Sequence, residues 1–135
     1  MPSDKTVDIP EVLLIEDDAD TITILNIWLS AVCHLTVTKD GESAMKILDD
    51  FRAKEKHVCL FLVDINLPPP WNGITLKTEI QQRFMEYQFT PFIAETAYAM
   101  PMDQERMKKA GFVDCVFKPL DRLSLLNTLS QYLAF

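Results

Sequence analysis

The stretch Val58-Cys59-Leu60-Phe61-Leu62-Val63-Asp64 (VCLFLVD) is the most hydrophobic in the chain, and it ends on an acid. An apolar run of this length without alternation reads as a strand covered on both faces, as in a parallel sheet. Toward the N-terminus, Val12-Leu13-Leu14-Ile15 is a second short aliphatic run, and it stops at Glu16-Asp17-Asp18. Leu35-Thr36-Val37 is a weaker strand. Toward the C-terminus, Pro91-Phe92-Ile93-Ala94 reads as a fourth strand, its proline tolerable at the first position, and Val113 to Phe117 as a fifth.

Between these runs the hydrophobic period changes. From Asp20 onward, Ile24, Leu25, Trp28, Leu29 and Val32 fall on one helical face. Asp40-Gly41-Glu42-Ser43 opens a second helix carrying Ala44, Ile47, Leu48 and Phe51; Ile74, Leu76, Ile80 and Phe84 mark a third. Asp103 is expected to cap a fourth that ends at Ala110-Gly111, and a last helix runs from about Asp121 through Leu125, Leu126, Leu129 and Leu133. The segment Asn66 to Gly73 cannot be regular structure, because Pro68, Pro69 and Pro70 supply no backbone donors. Five alternations of strand and helix imply α/β architecture, a parallel sheet with helices on both faces. With no linker or second domain visible, residues 1–135 are expected to form one domain. Residues 1–10 are expected to be its flexible lead-in, and output is expected to pass through surfaces.

Composition narrows the function. The chain has 135 residues, 48% of them apolar, with eight Phe and two Trp, which is enough for one core. Thirteen basic against twenty acidic residues leave a formal charge of −7, with no basic stripe to displace counterions from nucleic acid. The polar, mixed-charge segment Met1 to Pro10 lacks the apolar core of a signal peptide, and no apolar run reaches the ~18 residues of a membrane span. A cytoplasmic protein without membrane insertion is expected. Cys33, Cys59 and Cys115, with His34 and His57, have no zinc-site spacing and read as reduced thiols.

Ligands of open parallel sheets bind at the carboxyl ends of the strands, near the point where strand order reverses. Glu16-Asp17-Asp18 follows the first strand, Asp64 the third, Thr96 the fourth and Lys118 the fifth. Right-handed crossovers set strands one and three side by side, so Glu16, Asp17 and Asp64 should converge. Clustered carboxylates repel one another unless a cation intervenes, and hard oxygen ligands suit Mg²⁺, with Mn²⁺ a possible substitute. A lysine and a hydroxyl at the same spot suit a transferring phosphoryl group, with Asp64 as the nucleophile.

In these residues the chain resembles the receiver domain of two-component response regulators. The matching segments are VLLIEDD at 12–18, FLVDINLP at 61–68 followed by Gly73, FIAETA at 92–97 and VFKP at 116–119. The resemblance implies a flavodoxin-like doubly wound (βα)5 fold with a five-stranded parallel sheet in the order 2-1-3-4-5. It implies that Glu16 and Asp17 hold Mg²⁺ with Asp64 and the backbone carbonyl of Asn66. Asp64 would accept a phosphoryl group from a histidine kinase or a histidine phosphotransfer protein. Asn66, Thr96, Ala97 and Lys118 would surround that group, and the Lys118-Pro119 bond would be cis. Asp18 is left as a helix cap.

Two departures stand out. The family usually has Tyr or Phe three residues before the lysine, where this chain has Cys115; activation is therefore expected to be signalled through the Thr96 loop alone. The loop from Asp64 to Gly73 is one residue longer than usual and includes Trp71, which reads as packing over the loop more readily than as a partner contact. The resemblance implies that the first helix docks the phosphohistidine donor; Ile22 and Ile27, which lie off the core face assigned to that helix, and Pro119 are the candidate contacts. Tyr98 could shield the acyl phosphate from water. Two other functions compete: a degenerate receiver that only binds partners, and an aspartyl-phosphate phosphatase. The second is disfavoured because Asp64-Ile65-Asn66 lacks a second acid.

Overall fold

The computed structural model describes residues 9–97 and 100–133, so most of the lead-in at 1–10 and Tyr98 lie outside the described residues. The strands are β1 (Glu11–Ile15), β2 (His34–Thr38), β3 (Leu60–Asp64), β4 (Phe92–Thr96) and β5 (Asp114–Phe117). The helices are α1 (Ala19–Leu29), α2 (Gly41–Ala53), α3 (Gly73–Arg83), α4 (Pro101–Lys109) and α5 (Arg122–Ser130), with a 3₁₀ turn at Met85–Tyr87. All four strand pairings are parallel, and the order is β2-β1-β3-β4-β5, the flavodoxin-like arrangement expected.

Every residue of β3 and β4 is buried, as a strand with helices on both sides must be. On one side Leu13, Phe61, Phe92 and Ala94 pack with Leu48 and Phe51 of α2 and Leu76 and Ile80 of α3. Phe61 and Phe92 stack with ring centroids 4.2 Å apart, and Tyr87 meets Phe61 edge-on. On the other side Val12, Leu14, Leu62 and Ile93 pack with Leu25 and Leu29 of α1 and Leu125 and Leu129 of α5.

Caps set where the helices begin. Asp18, Asp40, Asn72 and Asp121 each sit in extended backbone and accept backbone N–H bonds from the first turn of α1, α2, α3 and α5. The fourth helix departs from expectation. Its cap position is Met100, with Pro101 at the first helical residue, and Asp103 lies inside the first turn. Proline there has its φ preset for the helix and lacks an N–H that would be unsatisfied in any case. The fourth helix does end before Gly111, whose φ of 94° requires glycine.

The faces of α1 also need correcting. Leu25 and Leu29 are buried, but Ile24 is 40% exposed and Ile22 half-buried, the reverse of their expected placement. Ile27 is exposed, as expected. Trp71 is packed against the core on the α2–α3 side, over Gly41, with the Arg83 guanidinium 5.7 Å from its ring. The Lys118-Pro119 bond is cis; so is Pro69-Pro70.

Candidate functional site

Parallel pairing sets the carboxyl ends of β1 and β3 level. Ile15 is the register partner of Val63, so Glu16 and Asp64, one step further on, arrive together. The Glu16 N–H extends the sheet by donating to the Thr38 carbonyl at 2.9 Å. Ligand oxygens of Glu16, Asp17 and Asp64 all lie within 4.8 Å of one another. Glu16 and Asp64 are buried, whereas Asp17 is open to solvent.

Local turns aim these groups. Asp18 accepts from the Thr21 N–H at 2.9 Å and from its hydroxyl at 2.6 Å, which holds the Asp18 carboxyl below its usual range. With its own N–H it donates to Glu16 Oε2 at 3.0 Å. The helix cap thus also steadies the acid beside it. Asn66 donates its N–H to Asp64 Oδ1 at 3.0 Å, closing a tight turn behind the strand. Gly73 lies against that turn, since a Cβ there would fall 2.6 Å from the Asp64 carbonyl oxygen.

Lys118 enters from the end of β5, with Nζ 3.2 Å from Glu16 Oε1 and 3.4 Å from Asp64 Oδ2. Burial works against its charge, but Asp64 and Glu16 outweigh it and hold the ammonium above the ordinary lysine range. Burial pushes the Glu16 carboxyl up; the Asp18 N–H opposes this and Asp64 adds to it. Thr96 is buried at the end of β4, and its carbonyl accepts the Lys118 N–H at 2.9 Å. Ala97, beside it, and Pro119, after Lys118, are exposed.

Glu16, Asp17, Asp64 and Lys118 therefore meet, Thr96 is tied to Lys118 through the backbone, and Asn66 is tied to Asp64. Ile24, in place of Ile22, borders this corner, lining a shallow groove with Asp20, Thr21, Lys118, Pro119 and Leu120. Cys115 is half-buried against the aromatic core, where burial and then Asp114 raise its thiol pKa. A further acid, which strand-end patterning does not single out, is Glu95: the register partner of Asp64, it is completely buried. Its signal was a charged residue inside a strand that both faces of the sheet bury.

The donor set fits a hard divalent cation. All three ligands are carboxylates, and Glu16 Oε1, although near Lys118, receives no well-directed hydrogen bond. The family model described as "Response regulator receiver domain" matches residues 12–130. The chain belongs to the response regulator receiver family. A receiver of this kind is the polar-differentiation response regulator DivK of Brucella ovis, 29% identical over 123 residues, covering 90% of this chain and 94% of DivK. The signal transduction histidine-protein kinase BarA of Escherichia coli is 30% identical over 122 residues, 90% of this chain but 12% of BarA. Among solved structures, Vibrio cholerae chemotaxis protein CheY4 superposes with a TM-score of 0.79 at 22% identity, covering 93% of this chain and 100% of CheY4, which bears on the fold. The receiver domain of sensor histidine kinase PA1611 from Pseudomonas aeruginosa gives a TM-score of 0.75 at 28% identity, covering 93% of this receiver and 98% of that one. That structure has a magnesium ion coordinated in its active-site cleft.

Proposed function

We propose that this receiver is a phosphoacceptor switch in two-component or phosphorelay signalling, taking a phosphoryl group from a phosphohistidine onto Asp64. The observation that carries this is the meeting of three carboxylates with one ammonium, Lys118 Nζ lying 3.4 Å from Asp64 Oδ2. A structural ion pair would need only one of those acids. A site for a doubly charged cation and a phosphoryl group needs the excess.

In the reaction an Asp64 carboxylate oxygen attacks phosphorus, the P–N bond to the donor imidazole breaks, and the imidazole leaves with the electron pair and takes up a proton. The product is an acyl phosphate on Asp64. Lys118 turns from the carboxylate to the arriving phosphoryl oxygens, whose charge it balances. The Thr96 hydroxyl bonds one of those oxygens, and the small side chain of Ala97 leaves them room. Glu16, Asp17, Asp64 and the Asn66 carbonyl would hold Mg²⁺, or Mn²⁺ in its place; when bound, the ion neutralises the crowded oxygens. Support for that ion comes from the carboxylate cluster and from the magnesium-bound PA1611 receiver.

The chain works on itself only, transferring the group and losing it slowly to water, while phosphorylation shifts an equilibrium between two conformations. With Cys115 where an aromatic switch residue would stand, the change passes through the segment that follows Thr96. Residues 1–135 act as one receiver domain, with 1–10 as lead-in. Donor and receiver meet in the cytoplasm. Among the described residues no helix is long and apolar enough to cross a membrane.

The test is acetyl phosphate with Mg²⁺, read by intact mass. The wild type should gain one phosphoryl group and Asp64→Asn none; equal labelling of both would refute the assignment. The donor, a histidine kinase or histidine phosphotransfer protein, docks on the outer face of α1, where Ile27 is 69% exposed one turn from Ile24, which lines a groove with Pro119. Ile27→Glu should slow transfer from a phosphohistidine donor about tenfold or more, since a buried apolar contact and its desolvation are both lost. Labelling by acetyl phosphate should be unchanged.

A further inference from the structure

Glu16 is buried, and its carboxyl hangs on a side chain of several rotatable bonds, so its direction has to be set from outside. Oε2 accepts the Asp18 N–H at 3.0 Å, while Oε1, 3.2 Å from Lys118 Nζ, receives no well-directed hydrogen bond. The direction of this carboxyl therefore follows the backbone at Asp18. That residue lies past the end of β1 and just before α1, so its N–H belongs to neither ladder.

What holds Asp18 is Thr21. The Thr21 N–H at 2.9 Å and the Thr21 hydroxyl at 2.6 Å both donate to Asp18 Oδ2, a short charge-assisted pair. The Ile22 N–H donates to the Asp18 carbonyl at 3.0 Å, so the residue is gripped by its side chain and its main chain together. Comparable clamps open α2 and α5, where Asp40 accepts the Ser43 N–H and Asp121 the Ser124 N–H. At α1 the clamped residue's own N–H ends on a carboxylate of the cation site. Thr21 also lines the groove with Ile24, Pro119 and Leu120, so one threonine belongs to the docking surface and to the support of the site.

We infer that Thr21 is a positioning residue for the cation site: through Asp18 it aims the carboxyl of Glu16. Contacts run from the Thr21 hydroxyl to the Asp18 carboxylate, and from the Asp18 N–H to Glu16 Oε2. What passes along them is position alone. An N–H exists at residue 18 whatever its side chain, and the clamp decides where it points. The inference rests on the receiver reading given above. Hydrogen-bond partners outside the ligand set commonly change metal affinity by about 10–100-fold, and a relay through an exposed aspartate belongs at the lower end.

The experiment measures Mn²⁺ binding by EPR, with Mg²⁺ as competitor, and hydrogen exchange of the residue-18 amide by NMR in the metal-free protein. Asp18→Asn and Asp18→Ala remove the same charge, but only Asn can still accept from Thr21. Ala should bind Mn²⁺ about tenfold more weakly than Asn, and its residue-18 amide should exchange faster. Thr21→Val, which loses the hydroxyl and keeps the N–H, should bind about threefold more weakly than Thr21→Ser. Asp121→Ala removes a cap of the same kind from α5; it should melt lower, as Asp18→Ala does, yet bind Mn²⁺ as the wild type does. The inference is overturned if Asp18→Ala binds as Asp18→Asn does, if Thr21→Val matches Thr21→Ser, or if Asp121→Ala weakens binding as much as Asp18→Ala. Absence of Mn²⁺ binding by the wild type would instead overturn the receiver reading, and this inference with it.

Discussion

Among the described residues two lysines, Lys77 and Lys118, are drawn into this small protein, and their surroundings give them opposite electrostatics. Lys118 sits among acids, 3.2 Å from Glu16 and 3.4 Å from Asp64, and is held above the ordinary lysine range despite burial. Lys77 on α3 is 6% exposed, with its Nζ over the rings of Phe92 at 5.3 Å and Phe112 at 5.9 Å. Its hydrogen bond goes to a neutral acceptor, Gln81 Oε1, at 2.8 Å, and burial lowers its pKa. Depth alone does not decide whether a buried ammonium is strained. The nearest formal charge does, and in this fold the charges are gathered at the carboxyl ends of the strands.

The largest break in that contrast should come from Lys118→Met. Removing the ammonium leaves Glu16 and Asp64 buried against each other, so the metal-free protein should lose about 2–3 kcal/mol at pH 7 by chemical denaturation. Phosphorylation from acetyl phosphate should fall at least about a hundredfold, as expected when a charge that balances the transferring group is lost. Because the folded-state pKa of Lys118 is raised above the unfolded value, its stabilising contribution is fully present below pH ~10.5 and is lost as pH climbs through the higher folded value. The gap between wild type and Lys118→Met should therefore hold across neutral pH and close only in strong alkali. A gap that closes by pH 9 would break the comparison.

A smaller effect, of opposite sign, is expected at Lys77. Its folded pKa lies below the unfolded one, so the desolvation penalty is complete at neutral pH. The penalty is relieved as pH rises from the folded value toward ~10.5. Lys77→Met fills the same space without that penalty but gives up the ring contacts, each of which contributes about 0.5–2 kcal/mol. The net expectation is a gain of up to about 1 kcal/mol at pH 7, shrinking as pH approaches 10. Urea melts of both proteins at three pH values would check it, and a Met variant whose advantage grows with pH would reverse the reading.

The sequence revealed the scaffold because strand ends are chemically abrupt. Ile15 to Glu16 and Val63 to Asp64 each pass from aliphatic to acid in one step, and a parallel sheet then puts the acids together. Faces of α1 were harder to assign because Ile22, Ile24, Leu25, Ile27, Trp28 and Leu29 surround the helix with apolar side chains. Periodicity cannot choose among such faces, and only packing against β1 and α5 shows that Leu25 and Leu29 are inside. At α4 the positional signal of Pro101 outweighs the capping propensity of Asp103. Glu95 and Lys77 share one cause: each occupies a position that the element's own pattern assigns to the core, but its charge suggested the surface. Glu95 lies in a strand covered on both sides, and Lys77 falls three residues from both Ile74 and Ile80 on the apolar stripe of α3.

Gly41 has implications for how this sequence can drift. The first residue of α2 has no room for a side chain, because a Cβ there would strike the indole of Trp71 and crowd Leu76. Residue 41 therefore cannot grow while Trp71 keeps its place. Enlarging residue 41 requires a smaller residue 71, and that smaller residue would loosen the proline-rich segment next to the phosphoacceptor. Among descendants of this chain, bulk at one of the two positions should exclude bulk at the other.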